Sequence, residues 1–284
     1  MIIWIASYPK SGNTWIRSFI YSLIYSKDLK PDLKKINVID QYPVKKHFKD
    51  YTTNFNNFKL VSKYWDISQS QLRKDNKVKF LKTHHINCKI ENNSFIQTKN
   101  TLGVIHIVRD PRNVITSIKN HYSKKNYDEA FDFLTDPLHC VDVENLTHQN
   151  IDKKLILNTL ISSWSNHYNS WKNASQNYLV LKYEDLEKLP FETFAKLVDF
   201  LEPLLKIKIN KTKLNKIIEL NNFENLKKIE ENSGFDETAI NKKGEKVKFF
   251  NLGPMNQWQK FVPKDIRLKI EKNFEKEMKD LQYL

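Results

Sequence analysis

The sequence predicts an α/β protein of three layers, with a parallel β-sheet flanked by helices on both faces. Three observations predict it. Short apolar runs suited to buried strands recur at Ile2–Ala6, Val78–Thr83, Thr101–Val108 and Tyr178–Lys182. Stretches with apolar residues three and four apart follow most of them, giving the order β–α, β, β–α, α, β–α, α, α. The run Thr101–Val108 is nearly continuous in apolar residues, as a strand covered on both faces must be. With 284 residues the chain can bury a substantial core, and it reads as one domain over 1–284.

The first element is Ile2–Ala6, followed by Tyr8-Pro9-Lys10-Ser11-Gly12-Asn13-Thr14-Trp15. Beyond it, Trp15, Ile16, Phe19, Ile20, Leu23 and Ile24 form a helical stripe. A strand, a tight polar turn and a helix N-terminus bring unpaired backbone N–H groups and the positive end of a helix dipole to one place. An anion suits that place, with Lys10, Ser11 and Thr14 as further donors and Gly12 allowing close approach. The same Ser, Gly, Asn and Thr also serve as helix caps. The turn is not a Walker loop, because its lysine precedes the glycine.

Residues 27–77 are polar and loop-rich, with short helices expected near Leu60–Tyr64 and Ile67–Leu72. The strand ending at Thr83 leads to His84-His85. A histidine just past the carboxyl end of a strand stands where open α/β sheets bind ligands, and it suits proton transfer near neutral pH. His84, His85 and Cys88 lack a fourth ligand at finger-like spacing, so no metal is expected. After Val108 come Arg109-Asp110-Pro111-Arg112, with Asp110 placed to cap a helix that opens on Pro111 and carries Ser117. Arg109 suits a phosphate through its fork of donors.

Residues 123–150 are acidic and aromatic by turns and read as short helices over a site entrance. Leu157, Leu160, Ile161, Trp164, Tyr168 and Trp171 share one face of a helix expected over 154–171. Further helices are expected from Pro190, over Lys211–Leu220 and over Pro263–Leu281. The net charge of +14 suits a polyanionic ligand, an acidic membrane or nucleic acid without choosing among them. Two cysteines make no disulfide framework, no apolar run approaches a membrane span, and the chain opens on its first strand without a leader pattern. A cytoplasmic location is expected.

The string Y-P-K-S-G-x-T-W closely resembles the 5′-phosphosulfate loop of the cytosolic-type sulfotransferase family, with Asn13 where that family usually has Thr. Lys82-Thr83-His84 resembles the segment bearing the family's catalytic histidine. Arg109 with Ser117 eight residues on resembles its 3′-phosphate segment. Tyr183-Glu184-Asp185-Leu186 and Asn222-Phe223 are similar to segments that approach the nucleotide base. Lys242-Lys243-Gly244 resembles an R-K-G part of the 3′-phosphate clamp, with Lys242 in place of arginine and Glu245 to Asn256 intervening before Trp258.

The resemblance implies a P-loop-NTPase-like sulfotransferase fold and 3′-phosphoadenylyl sulfate (PAPS) as co-substrate, with adenosine 3′,5′-bisphosphate (PAP) as product and no metal. It implies Lys10 on the bridging and leaving oxygens, Thr14 and the loop N–H groups on the 5′-phosphate, and Lys82 on the transferring group. His84 becomes the base and Trp15 stacks on adenine. Ser11, Gly12, Asn13, Arg109, Ser117, Tyr183, Phe223, Lys242, Lys243 and Gly244 complete the donor site. The acceptor is a small molecule or glycan with a hydroxyl or amine, and no nucleic-acid partner is implied. A P-loop-like nucleotide kinase and a non-catalytic basic polyanion-binding module are the alternatives. The kinase lacks its glycine loop, and the module lacks an aligned basic face.

Overall fold

Strand β1 (Ile2–Ser7) is buried along its whole length and sends alternate side chains to opposite faces of its sheet. Ile3 and Ile5 enter one apolar core, while Ile2, Trp4 and Ala6 enter another. The structure, a computed structural model, describes residues 1–141, 157–240 and 244–284. With β2 (Asp40–Gln41), β3 (Lys79–Thr83), β4 (Thr101–Val108) and β5 (Tyr178–Lys182), β1 forms a five-stranded sheet. The order is β2-β3-β1-β4-β5, and every pairing is parallel.

Helix α1 (Asn13–Ile20) lays Ile16, Phe19 and Ile20 on the Ile3 and Ile5 face and continues as a wider π turn over Tyr21–Tyr25. There Phe19 stacks on Phe194 with ring centroids 4.1 Å apart. α2 (Pro111–His121) begins as its sequence dictates: Asp110 accepts a hydrogen bond from the Arg112 N–H, and Pro111 takes the first turn. α3 (Trp164–Trp171), α4 (Tyr183–Lys188), α5 (Pro190–Leu205), α6 (Lys211–Leu220) and α7 (Phe223–Ser233) follow.

Register gives the sheet its functional edge. Ala6 pairs with Thr83, Ser7 with Ile107, and Val108 with Lys182. The chain therefore leaves β1, β3, β4 and β5 on one side, carrying Tyr8–Gly12, His84, Arg109 and Tyr183 to a common rim. β3 and β4 flank β1 on opposite sides, so the rim sits at a switch point in the topology.

Several boundaries differ from expectation. The helix expected over 154–171 begins only at Trp164. Thr159 and Leu160 instead pair antiparallel with Val141 and Cys140, Ser162 adopts a left-handed φ of 66°, and Ser163 caps the helix through the Asn166 N–H. The helical spacing from Leu157 to Ile161 arises because Leu157 and Ile161 are both buried, which a bent strand achieves equally well. Residues 154–156, and 142–150 of the expected entrance helices, lie outside the described residues; Tyr127–Thr135 is helical. The C-terminal helix is two pieces, Lys264–Asn273 and Glu275–Asp280, broken at Phe274. In the 27–77 excursion the helices lie at Phe58–Ser62 and Trp65–Leu72, and the edge strand β2 was not foreseen.

Candidate active site

The turn after β1 is held by backbone conformations that few residues tolerate. Lys10 has φ 64° and Gly12 has φ 103°, and the Gly12 carbonyl accepts from the N–H groups of Trp15 and Ile16. A side chain at Gly12 is excluded twice over, since a Cβ there lies 2.7 Å from the Tyr183 ring as well as in the left-handed region. α1 thus starts at the cavity floor, and its first turn carries no acidic residue. Asn13 turns its amide inward, donating to the Ile5 carbonyl and the Ser7 hydroxyl. Its side-chain N–H groups therefore face the protein, although Asn13 lines the cavity as the resemblance implies. Ser11 is wholly buried beneath the turn and does not line the cavity.

Above this floor lie Lys10, Thr14, Lys82, His84 and an acid that the motifs did not reveal, Glu237. Glu237 accepts from Arg17 at 2.6 Å, Lys82 at 2.9 Å and the Thr14 hydroxyl at 3.2 Å. Burial works to raise its pKa, but Arg17 and Lys82 outweigh it and hold the carboxyl well below the usual range. Lys10 sits 3.7 Å above the Phe249 ring, and withdrawal from water lowers its pKa to about 7. Lys82 falls to about 8 for the same first reason.

His84 donates from Nδ1 to the Ser7 carbonyl at 2.7 Å, since a carbonyl can only accept. Its Nε2 therefore carries a lone pair. Burial first, and then the Lys82 charge, lower its pKa to about 3, so the imidazole is neutral across the physiological range. His85 is turned away, stacked on Phe95 at 4.3 Å with Nδ1 on the Ile86 carbonyl. Among the described residues, no three His, Cys, Asp or Glu side chains are grouped to hold a metal ion.

A second cluster lies along the rim. The Arg109 guanidinium stacks 3.8 Å over the Tyr183 ring and donates to the Lys10 carbonyl at 3.0 Å and to Ser117 Oγ at 3.4 Å. Ser117 also accepts from Asn256 at 3.1 Å, and Asn256 donates to the Asn113 carbonyl at 2.9 Å. Trp15 donates to the Asn221 carbonyl at 2.7 Å and meets Tyr183 and Phe223 edge to face. Gly253 lies against Phe223 so closely that a Cβ would stand 2.3 Å from the ring.

Lys10, Gly12, Asn13, Thr14, Trp15, Lys82, His84, Arg109, Ser117, Tyr183 and Phe223 thus surround one cavity. Lys242 and Lys243 lie outside the described residues. Gly244 is exposed with open space around it and does not line the cavity. It stands instead between the paired strands Ala239–Ile240 and Lys246–Val247, where its φ of 82° suits a turn. The wall is built by the later stretch Val247–Gly253 with Asn256. Glu230 of α7 anchors this stretch by accepting from the backbone N–H groups of Phe249 and Phe250 and from Thr238.

Sequence reasoning missed Arg17, Glu237 and Asn256. Arg17 carried a usable signal, being the one charged residue of its helix and three residues beyond Thr14. Glu237 and Asn256 carried none, because they reach the site across more than a hundred residues of chain.

Two buried donors lack a partner among the described residues, Arg109 Nε on the cavity wall and Arg17 Nε on the residue that bonds Glu237. Buried donors of this kind are costly unless paired. Together with two lysines and a helix N-terminus they fit a ligand bearing two separated anionic groups.

A family model described as the sulfotransferase domain matches residues 2–282. Sulfotransferase 1E1 of Rattus norvegicus is 25% identical, with 97% of this chain and 83% of that protein aligned. Luciferin sulfotransferase of Photinus pyralis is 23% identical over 78% of this chain and 56% of its own length. Cytosolic sulfotransferase 10 of Arabidopsis thaliana is 20% identical over 97% and 77%. The solved structure of mouse sulfotransferase SULT7A1 complexed with PAP matches with a TM-score of 0.57 at 18% identity, covering 97% of this chain and 84% of that one. Retinol dehydratase in complex with androsterone and inactive cofactor PAP matches with a TM-score of 0.60 at 18% identity, covering 98% and 81%. At such identity the solved structures speak for the fold, a parallel sheet of the P-loop-like kind. Among the described residues no helix is long and apolar enough to cross a membrane.

Proposed function

Because the chain belongs to the sulfotransferase domain family, we propose that it transfers the sulfuryl group of PAPS to a hydroxyl of a small-molecule acceptor and releases PAP. The observation that carries this reading is the convergence of two cationic clusters on one cavity, Lys10 with Lys82 and Arg109 with Ser117, with His84 beside the first. PAPS supplies a sulfur that can be displaced from a phosphate oxygen, and a 3′-phosphate far enough away to need its own site.

Lys10 and the N–H groups opening α1 would bind the phosphosulfate bridge and the leaving oxygen, neutralising charge as it develops there. Thr14 would donate to the 5′-phosphate and Lys82 to the sulfuryl oxygens. Arg109 and Ser117 would hold the 3′-phosphate, with Trp15, Tyr183 and Phe223 bounding the adenine. Positioning of this kind is the main catalytic device for in-line transfer of a charged group. His84 Nε2 would take the acceptor hydroxyl proton as the new S–O bond forms and the old one breaks. The incoming negative charge raises the pKa of His84 toward that task. Val141, Leu157 and Ile161 form an apolar flank of the cavity, which supports an acceptor with a hydrophobic body.

Radiolabelled PAPS incubated with a panel of phenols, aliphatic alcohols, amines and glycans tests this reading. Labelled product from a small hydroxyl acceptor is expected. PAPS binding without transfer to any member, over a broad panel, would leave a binding protein rather than an enzyme.

A further inference from the structure

Glu237 occupies the position of an anion. Its carboxylate receives three donors at 2.6 to 3.2 Å, Thr14 Oγ1 and Lys82 Nζ from the walls of the cavity and Arg17 Nη2, which is buried and does not line it. Arg17 is 1% exposed; its Nη2 donates to Glu237 and, at 3.4 Å, to Thr14 Oγ1, while its Nε has no partner among the described residues and remains available as a donor. Glu237 lines the same cavity as Lys10, His84 and Tyr122.

Two anions cannot share these donors. If Thr14 and Lys82 bind the phosphosulfate, a carboxylate on both of them opposes it. The backbone on either side of Glu237 is anchored, by Phe235 in the core and by Thr238 bonded to Glu230, so withdrawal needs only rotation of the Glu237 side chain.

We propose that Glu237 is a built-in occupant of the sulfuryl-end anion site, displaced when the donor enters, and that Arg17, released from it, becomes a donor-binding residue alongside Lys82. This rests on the reading of the cavity as a PAPS site. Affinity for the donor is then reduced by the fraction of molecules in which Glu237 is seated. Glu237→Gln removes the competing charge while keeping a side chain able to hydrogen-bond, and Arg17→Gln removes the proposed contact.

The test is calorimetric titration of the parent, E237Q, R17Q and the double variant R17Q/E237Q with PAP, PAPS and inorganic pyrophosphate, each first checked for an unchanged melting cooperativity. E237Q is expected to bind PAPS and pyrophosphate about tenfold or more tightly than the parent, with faster association. In the E237Q background, R17Q is expected to lower PAPS affinity about tenfold and PAP affinity less, because PAP lacks the sulfuryl group. An E237Q variant that binds PAPS no better than the parent overturns the proposal and leaves the donor reading standing. Pyrophosphate binding strengthened by E237Q, with neither PAP nor PAPS bound by any variant, would uphold the occupant and overturn the donor reading. Failure of every probe on every variant overturns both.

Discussion

His84 Nδ1 lies 2.7 Å from the carbonyl oxygen of Ser7, so the end of β1 orients the imidazole that leaves the end of β3. Adjacent parallel strands thereby fix both the ring plane and the tautomer. The free Nε2 belongs to a neutral imidazole, since burial has lowered the pKa to about 3. Replacing His84 by alanine is expected to reduce turnover about 10²- to 10⁴-fold while PAP affinity changes less than threefold, measured by single-turnover transfer and calorimetry. Turnover near the parent rate would remove the base assignment.

Arg109 makes its contacts through geometry that lysine cannot copy: a plane stacked over Tyr183 whose Nη1 reaches both the Lys10 carbonyl and Ser117 Oγ and leaves the other guanidinium nitrogens for a ligand. Arg109→Lys should weaken PAP binding about tenfold to a hundredfold and AMP binding much less, because AMP lacks the 3′-phosphate. Equal losses for both nucleotides would move the 3′-phosphate elsewhere in the cavity.

Gly12 is the position where the turn admits no side chain. Gly12→Ala adds a methyl against the Tyr183 ring at a φ of 103°. The combined strain and overpacking should cost about 2–4 kcal/mol of unfolding free energy, read from urea melts. PAP affinity should fall as well, as the Tyr183–Arg109 stack shifts. An alanine variant as stable as the parent would show that the turn relaxes freely.

Lys10 and Lys82 have pKa values lowered to about 7 and about 8, so each sheds its proton as pH rises past neutrality in the donor-free protein. An anionic donor favours the protonated lysines, so binding above pH 7 takes up protons and weakens as pH rises. PAP affinity should fall about tenfold or more between pH 7 and pH 9, and calorimetry in buffers of differing ionisation enthalpy should register the uptake. PAP affinity independent of pH over that range would take Lys10 off the ligand, and the same result with PAPS would take Lys82 off it as well.

The residues that were legible in the sequence lie where local pattern and position coincide. β4 and β5 have apolar runs that end at the residues found, and Asp110-Pro111 announces α2 because capping is a short-range interaction. His84 and Arg109 are legible because each immediately follows a strand of the same sheet, Lys10 because it lies in the polar turn between β1 and α1, and Tyr183 through the family resemblance alone. The stretch Leu157–Ile161 misled because burial at every fourth residue is shared by helices and by bent extended chain. The wall formed by Phe249, Gly253 and Asn256 was invisible for another reason. Its place depends on Glu230 and Ser117, contacts made by folding and not by spacing. The doubled lysine at Lys242-Lys243 drew the reading to Gly244 instead, which the structure places in an exposed turn.

The central claim is that one cavity binds a nucleotide through both its 5′ and 3′ anionic groups. Thermal unfolding with PAP, with AMP, and with ATP plus Mg²⁺ tests it most directly, because a ligand specific to the native state raises the melting temperature by mass action, about 2.7 kcal/mol at a hundredfold excess over Kd. The account predicts the largest rise with PAP, a smaller one with AMP, and loss of the difference in Arg109→Lys. A rise with ATP plus Mg²⁺ and none with PAP would contradict it.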